Sequence, residues 1–235
     1  AYLTTYPAGS ARPNASTLNS LDARIKANAA IVPAGIDGRV NIFSTHNTDV
    51  VIDTNGYFIE PELAPAGQGL VFYPLTPCRI LDTRSPAGPL GGPAFRGART
   101  IPVRASNCGV PATARAYSLN ATVVPDGPLS FITLYPTGQL LPEVSTLNAL
   151  TGTITANAAI VPAGTNGAID LYASLDNVPQ TILDITASFA PPGAAGGLRF
   201  FPITPCRILD TRDPVGPFGG PIMGALETRE FAVPQ

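Results

Sequence analysis

The side chains best suited to chemistry in this sequence fall in one short cluster, and the cluster occurs twice. It reads Cys78-Arg79-Ile80-Leu81-Asp82-Thr83-Arg84 and again Cys206-Arg207-Ile208-Leu209-Asp210-Thr211-Arg212. A thiol, two guanidinium groups, a carboxylate and a hydroxyl at such spacing could contact a ligand. The same residues also suit a turn, because an Asp followed by Thr and Arg accepts backbone N–H groups and pairs with the guanidinium. Prolines on both sides favour an extended approach and a fixed exit. We read Arg79, Asp82, Thr83, Arg84, Arg207, Asp210, Thr211 and Arg212 as structural, with ligand contact as the alternative.

Other reactive groups give less. Asp53 and Asp184 recur at equivalent positions, but no second carboxylate stands at calcium-ligand spacing, and strand parity sets Asp184 on a solvated or edge face. His46 is the sole histidine and has no counterpart in the second copy. No nucleophile motif such as G-x-S-x-G accompanies it, so no catalytic residue is assigned. Neither a C-x-x-C pair nor a His/Cys cluster offers a zinc site, and no cofactor is expected. A sugar-binding face would need exposed rings; there is no Trp, and Tyr135, Tyr172 and Phe189 lie in apolar runs that core packing explains. Asn14-Ala15-Ser16 and Asn120-Ala121-Thr122 match the N-glycosylation sequon, making Asn14 and Asn120 possible acceptors.

The elements that carry these residues are repeated too. Residues 73–84 match 201–212 at an offset of 128, and both continue into the same Gly/Pro pattern. Residues 1–58 match 130–189: Ala27-Asn28-Ala29-Ala30-Ile31-Val32-Pro33-Ala34-Gly35 recurs unchanged at 156–164, and Ile52-Asp53 through Phe58 aligns with Leu183-Asp184 through Phe189. The unit is therefore about 130 residues long, a usual domain size. The expected division is a C-terminal half-unit at 1–59, a Pro/Gly linker at 60–69, one complete unit at 70–189, a second linker at 190–197 and the front part of a further unit at 198–235. The first residues are Ala-Tyr-Leu-Thr, with neither an initiator Met nor a signal peptide, so a processed product or a window cut from a longer array is expected.

Composition places the chain among globular proteins: 45% of residues are hydrophobic despite 26 Pro and 23 Gly, enough to bury a core. The net charge is −2 with no basic cluster, which argues against nucleic-acid binding. No apolar run is long enough for a membrane-spanning helix.

Short runs rich in β-branched and aromatic residues predict strands at 117–124, 131–135, 168–173 and 181–189. In the last of these, Leu183, Ile185, Ala187 and Phe189 share one face by alternation. Asp37-Gly38 and Asn166-Gly167 predict hairpin turns. The fold class is all-β, tandem repeats of an antiparallel β-sandwich, with a small β-barrel as the alternative. Cys78 and Cys108 lie in the complete unit and are expected to form a disulfide, with two buried free thiols as the alternative; Cys206, the counterpart of Cys78, is expected to pair with a cysteine beyond residue 235. A disulfide implies an oxidising compartment outside the cytoplasm.

The pattern resembles a family of bacterial extracellular repeats found in secreted and surface proteins. Its marks here are Pro-Leu-Thr-Pro-x-Arg-Ile-Leu-Asp-Thr-Arg (74–84; Ile203 replaces Leu in 202–212), Gly-Val-Pro-Ala (109–112), Leu-Asn-Ala-Thr-Val (119–123), Tyr-Pro-x-Gly (135–138), Ser-Thr-Leu-Asn (145–148), Ala-Asn (156–157) and Asp-x-x-Gly-Tyr-Phe (53–58). The second copy departs at Ala187-Ser188-Phe189. The resemblance implies an extracellular location and repeat architecture, and no activity.

These readings converge on a non-enzymatic structural repeat of an extracellular filament, sheath, surface layer or adhesive stalk. The competing expectation is a carbohydrate- or surface-binding module. Expected partners are copies of itself, head to tail, through a covalent array or through completion of split domains between chains, with cell-surface polysaccharide as a further candidate.

Overall fold

A computed structural model describes the chain except residues 1, 14–15, 21–23, 60–62, 64–68, 193–198 and 233–235, and describes the backbone alone for 199–207. The linker expectations fall largely on residues outside this description. The chain is all-β, its sheets are antiparallel, and among the described residues no barrel closes. It divides into two compact units, Asn55–Cys206 and a second made of Ala1–Thr54 together with Arg207–Gln235.

The unit Asn55–Cys206 is a β-sandwich. One sheet has the order β10-β7-β12-β5, from Thr155–Pro162, Ala116–Val124, Gln180–Ala190 and Leu70–Asp82. The other has the order β6-β11-β8-β9, from Gly97–Ile101, Ile169–Ala173, Leu129–Pro136 and Leu147–Ala149. The core joins Leu81, Leu119, Ala121, Val123, Leu183 and Ile185 of the first sheet to Ile101, Ile132, Leu134, Leu147, Ile169 and Leu171 of the second. Alternation is clearest in β7, where Tyr117, Leu119, Ala121 and Val123 are buried and Ser118, Asn120 and Thr122 are half-buried.

Alternation fails in β12. Leu183 pairs with Ala121 and Ile185 with Leu119, but Ala187 pairs with Ser118. The extra residue is Thr186, a β-bulge, and it exchanges the two faces of the strand beyond it. Leu183 and Ile185 therefore enter the main core, while Phe189 joins a separate cluster with Leu70 and Ala116. This corrects the expectation that Leu183, Ile185, Ala187 and Phe189 share a face. Ser188 takes the place beside Tyr117 instead, fully buried, and its hydroxyl has no hydrogen-bond partner.

The Asn166-Gly167 turn is present, with φ of 58° and 73°, but it leads from β10 of one sheet to β11 of the other, so it is a corner and not a hairpin. Gly164 precedes it for a steric reason. A Cβ there would lie 2.1 Å from the Thr137 backbone nitrogen.

The second unit repeats half of this plan from the two ends of the sequence. Its sheet has the order β14-β3-β1-β2, from Thr228–Ala232, Arg39–Ser44, Tyr2–Pro7 and Leu18–Asn19. Thr228 pairs with Phe43 and Phe231 with Val40, matching Ile101 with Ile169 in the complete unit. Ile42, Val50, Leu209, Met223 and Phe231 form its core. The partial repeats that the sequence suggested would complete other chains, or belong to a longer array, thus fold onto each other within one chain. The remaining strands are β4 (Val51–Ile59) and β13 (Arg199–Asp210), which pair with each other, and the division between the two units falls within both.

Equivalent positions expose one blemish. Thr181 is fully buried and its hydroxyl has no partner, whereas its counterpart, Val50, is a core residue. Thr181→Val removes a buried unsatisfied hydroxyl at constant shape, and urea titration should show a gain of about 1 kcal/mol. A loss would show that the hydroxyl contributes a bond.

Candidate functional site

The duplicated cluster sits where β5 and β13 end. Asp82 closes β5, and its carboxylate is taken up from two sides. Oδ1 accepts from the Arg84 backbone N–H at 3.1 Å and from Arg84 Nε at 2.9 Å. Oδ2 accepts from Arg84 Nη2 at 2.7 Å and from Arg79 Nη1 at 3.2 Å. Arg79 also donates through Nε and Nη2 to Asp184, at 2.9 and 3.3 Å. Asp184 is therefore half-buried in a two-pronged ion pair on a central strand, which corrects the solvated or edge position expected for it. Parity held, but the parity argument did not supply the cross-strand arginine.

Hydrogen bonds from Arg84, above all through its guanidinium, hold the Asp82 carboxyl down at about 2, so it is a permanent acceptor with its oxygens occupied. Thr83 is buried and ties the turn to β12: its hydroxyl donates to Gln180 Oε1 at 2.7 Å and accepts from the Thr181 backbone N–H at 2.8 Å.

The second copy is built the same way. Arg212 donates to Asp210 through its backbone N–H at 3.0 Å, through Nε at 2.8 Å and through Nη2. Thr211 accepts from the Val50 backbone N–H at 2.9 Å and donates to Asp49. Arg207 and Cys206 lie among the residues described by backbone alone.

The Gly/Pro segment after each cluster is an organised loop. Gly91 donates to Gly88 O and Gly92 to Ser85 O; Gly219 and Gly220 repeat both bonds. A Cβ at Gly91 would lie 2.1 Å from Pro86 O, which requires glycine there. Sequence reasoning missed the residue that clamps this loop. Arg99 Nη2 donates to Gly88 O at 2.6 Å and Gly91 O at 2.8 Å, and Nη1 donates to Pro93 O at 3.1 Å. Its counterpart, Arg229, reaches Pro221 O at 2.9 Å and pairs with Glu227. The signal was the recurrence of an arginine at the same place in both copies.

Cys78 of β5 and Cys108 form a disulfide with a Cα–Cα distance of 5.6 Å. Both are half-buried against the main core, so the bond fastens the 103–110 segment to the sandwich. Such a bond suits an oxidising compartment.

The remaining sequence candidates do not converge. His46 is exposed and its Nδ1 lies 3.0 Å from the Thr45 hydroxyl. Asn14 lies outside the described residues. Asn120 is half-buried in mid-strand, paired with Ala158 on one side and Asp184 on the other, an unusual setting for a sequon, which normally lies on a surface loop. Tyr135 and Phe189 are buried, and Tyr172 stacks on Phe131 at 5.9 Å between ring centroids. Among the described residues no group of three His, Cys, Asp or Glu side chains is placed to hold a metal ion, and no helix is long and apolar enough to cross a membrane. Comparison with protein-family models, with curated proteins and with solved structures finds no match for this chain.

Two outcomes are expected. Asp82 is depressed in the folded state, so its stabilisation is full above the ordinary carboxylate range, near pH 4, and is lost as the pH falls through about 2. Asp82→Asn should lower the urea midpoint at neutral pH, and the gap from the wild type should close in acid; a gap independent of pH would deny the ion pair this role. Reducing the disulfide, which spans 30 residues, should destabilise the unit Asn55–Cys206 by about 3–4 kcal/mol, measured by denaturant titration with and without reductant.

Proposed function

We propose that this chain is a non-enzymatic structural repeat of an extracellular assembly such as a filament, sheath, surface layer or adhesive stalk. One observation carries the reading: a folded unit is assembled from Ala1–Thr54 and Arg207–Gln235, the two ends of the sequence. The joint includes the β14–β3 ladder, the Thr48–Met223 bridge, the bonds of Thr211 to Val50 and Asp49, and the Arg39–Glu230 ion pair at 2.9 Å. Every one of these contacts can be made equally by residues 207–235 of one molecule and 1–54 of the next. Such an exchange is heterologous, and unless it closes into a ring it grows as an open polymer.

The chemistry of the duplicated cluster supports the same reading. Asp82, Arg84, Arg79 and Asp184 are engaged with one another, which spends charge on rigidity. The disulfide adds a further fastening suited to an oxidising exterior, where repeated sandwiches act as stiff spacers.

Purified chain should form polymers that lengthen with concentration, seen by light scattering and negative-stain electron microscopy. Phe231→Arg, which puts a charge into the core at the joint, should abolish them while the unit Asn55–Cys206 stays folded. A chain that stays monomeric at every concentration would defeat the proposal.

A further inference from the structure

The two units share an outer sheet face and finish it differently. In the unit Asn55–Cys206, Ile132, Leu134, Leu171 and Ala173 belong to the core. The residues between them, Phe131, Tyr135, Asp170 and Tyr172, therefore lie on the opposite face of β8 and β11. Tyr172 thus belongs to the outside of the sheet and not to the core that its apolar run suggested. Tyr172 and Phe131 are half-buried and stack at 5.9 Å between centroids, with 24° between their planes.

Asp170 stands beside these rings and is paired with Tyr135 across the strands. Its Oδ1 accepts from the hydroxyls of Thr100 at 2.7 Å and Thr137 at 2.9 Å. Oδ2 accepts no hydrogen bond from a described residue, and Asp170 makes no ion pair with one. Burial raises the pKa of the Tyr135 phenol, and the neighbouring Asp170 and Tyr172 raise it further, which sets the three groups together. A half-buried carboxylate without a cation, next to a half-buried ring, is an incomplete arrangement.

The other unit shows how the arrangement is completed. Its matching residues are Tyr2, Tyr6, Asn41 and Phe43, and Tyr2 and Phe43 again lie together, 6.0 Å apart. Here the ring is covered from within the chain. The Arg12 guanidinium lies 3.8 Å from the Phe43 centroid, and Phe43 is only 4% exposed. The residue that matches Arg12 in the complete unit is Leu141, which is 42% exposed. One copy therefore has the cation and a neutral Asn41; the other has the carboxylate and no cation.

We propose that the Tyr172–Asp170 face of the unit Asn55–Cys206 binds an arginine side chain carried by a partner polypeptide. The guanidinium lies over Tyr172 as Arg12 lies over Phe43, and it donates to Asp170 Oδ2. A guanidinium suits both groups, because its flat face stacks on an aromatic ring and its N–H fork matches a carboxylate. A saccharide could also pack on the rings, but the group found on the matching ring is a guanidinium and the charge of Asp170 calls for a cation. Such binding requires neither an extracellular location nor a polymer, so the assembly proposed above stands or falls by its own test.

The test is an NMR titration of the full chain with Nα-acetyl-arginine amide, and with the citrulline amide as a neutral probe of the same shape. The arginine probe should give saturable shifts at the amides of 170–173 and none at those of 41–44, where Arg12 already covers the ring. Citrulline should bind about tenfold more weakly or worse, and Asp170→Asn should weaken arginine binding by about as much. Leu141→Arg changes an exposed side chain and should cover the face as Arg12 does. It should abolish probe binding while the rest of the amide spectrum stays unchanged. No saturable shift at 170–173, equal binding of citrulline, or undiminished binding to either folded variant would overturn the proposal. Saturable binding of a neutral disaccharide such as cellobiose, without binding of arginine, would overturn it in favour of a sugar site.

Discussion

Hydrogen bonding from one strand to the next is the constraint on which this structure rests. A strand's N–H and C=O groups need partners along their whole length, and a short alanine-rich segment has little intrinsic reason to be extended. The nine residues shared by 27–35 and 156–164 make the dependence visible. Beside β7 they become β10 and bury Ala159 and Val161. At 27–35 the same residues form no strand among the described residues, although their Asn anchor (Asn28 to Thr17 O, Asn157 to Thr146 O) and the hairpin under them are unchanged.

The duplicated charged cluster serves the same end by other means. Each copy ends a strand, turns the chain and holds the turn with a carboxylate clamped by a guanidinium fork. The buried threonine then binds the turn to the adjoining strand through its backbone N–H. Exposed ion pairs contribute little singly, but here Asp82 is mostly covered and Arg79 bridges it to Asp184. The loop beyond has glycines where no Cβ fits and an arginine in place of a core, since Arg99 satisfies four of its carbonyls. A Pro/Gly-rich stretch with few apolar side chains is thus ordered by hydrogen bonds.

Much of this was legible because the sequence contains its own alignment. Repetition gave the size of the unit, and β-branched and aromatic runs located β7, β8, β11 and β12. The Cys78–Cys108 pairing followed from treating the complete unit by itself. Strand β10 escaped because Ala-Asn-Ala-Ala carries no β signal. Strand β5 was not predicted because Pro74 and Pro77 argue against a long strand. The face of Phe189 was misjudged because one extra residue, Thr186, reverses parity without leaving a mark in composition. Asp184 was placed on the correct face, but its partner comes from 105 residues away.

The sequence by itself determined the repeat, the all-β class and the turn chemistry, because these depend on residue type and local spacing. Tertiary structure alone decided which segments share a unit, and it joined Arg207–Gln235 to Ala1–Thr54. It also decided whether one stretch of sequence is a strand or not. The physical reason is the same for both: a β-strand is completed by its neighbours, and the neighbours of a strand are set by the fold.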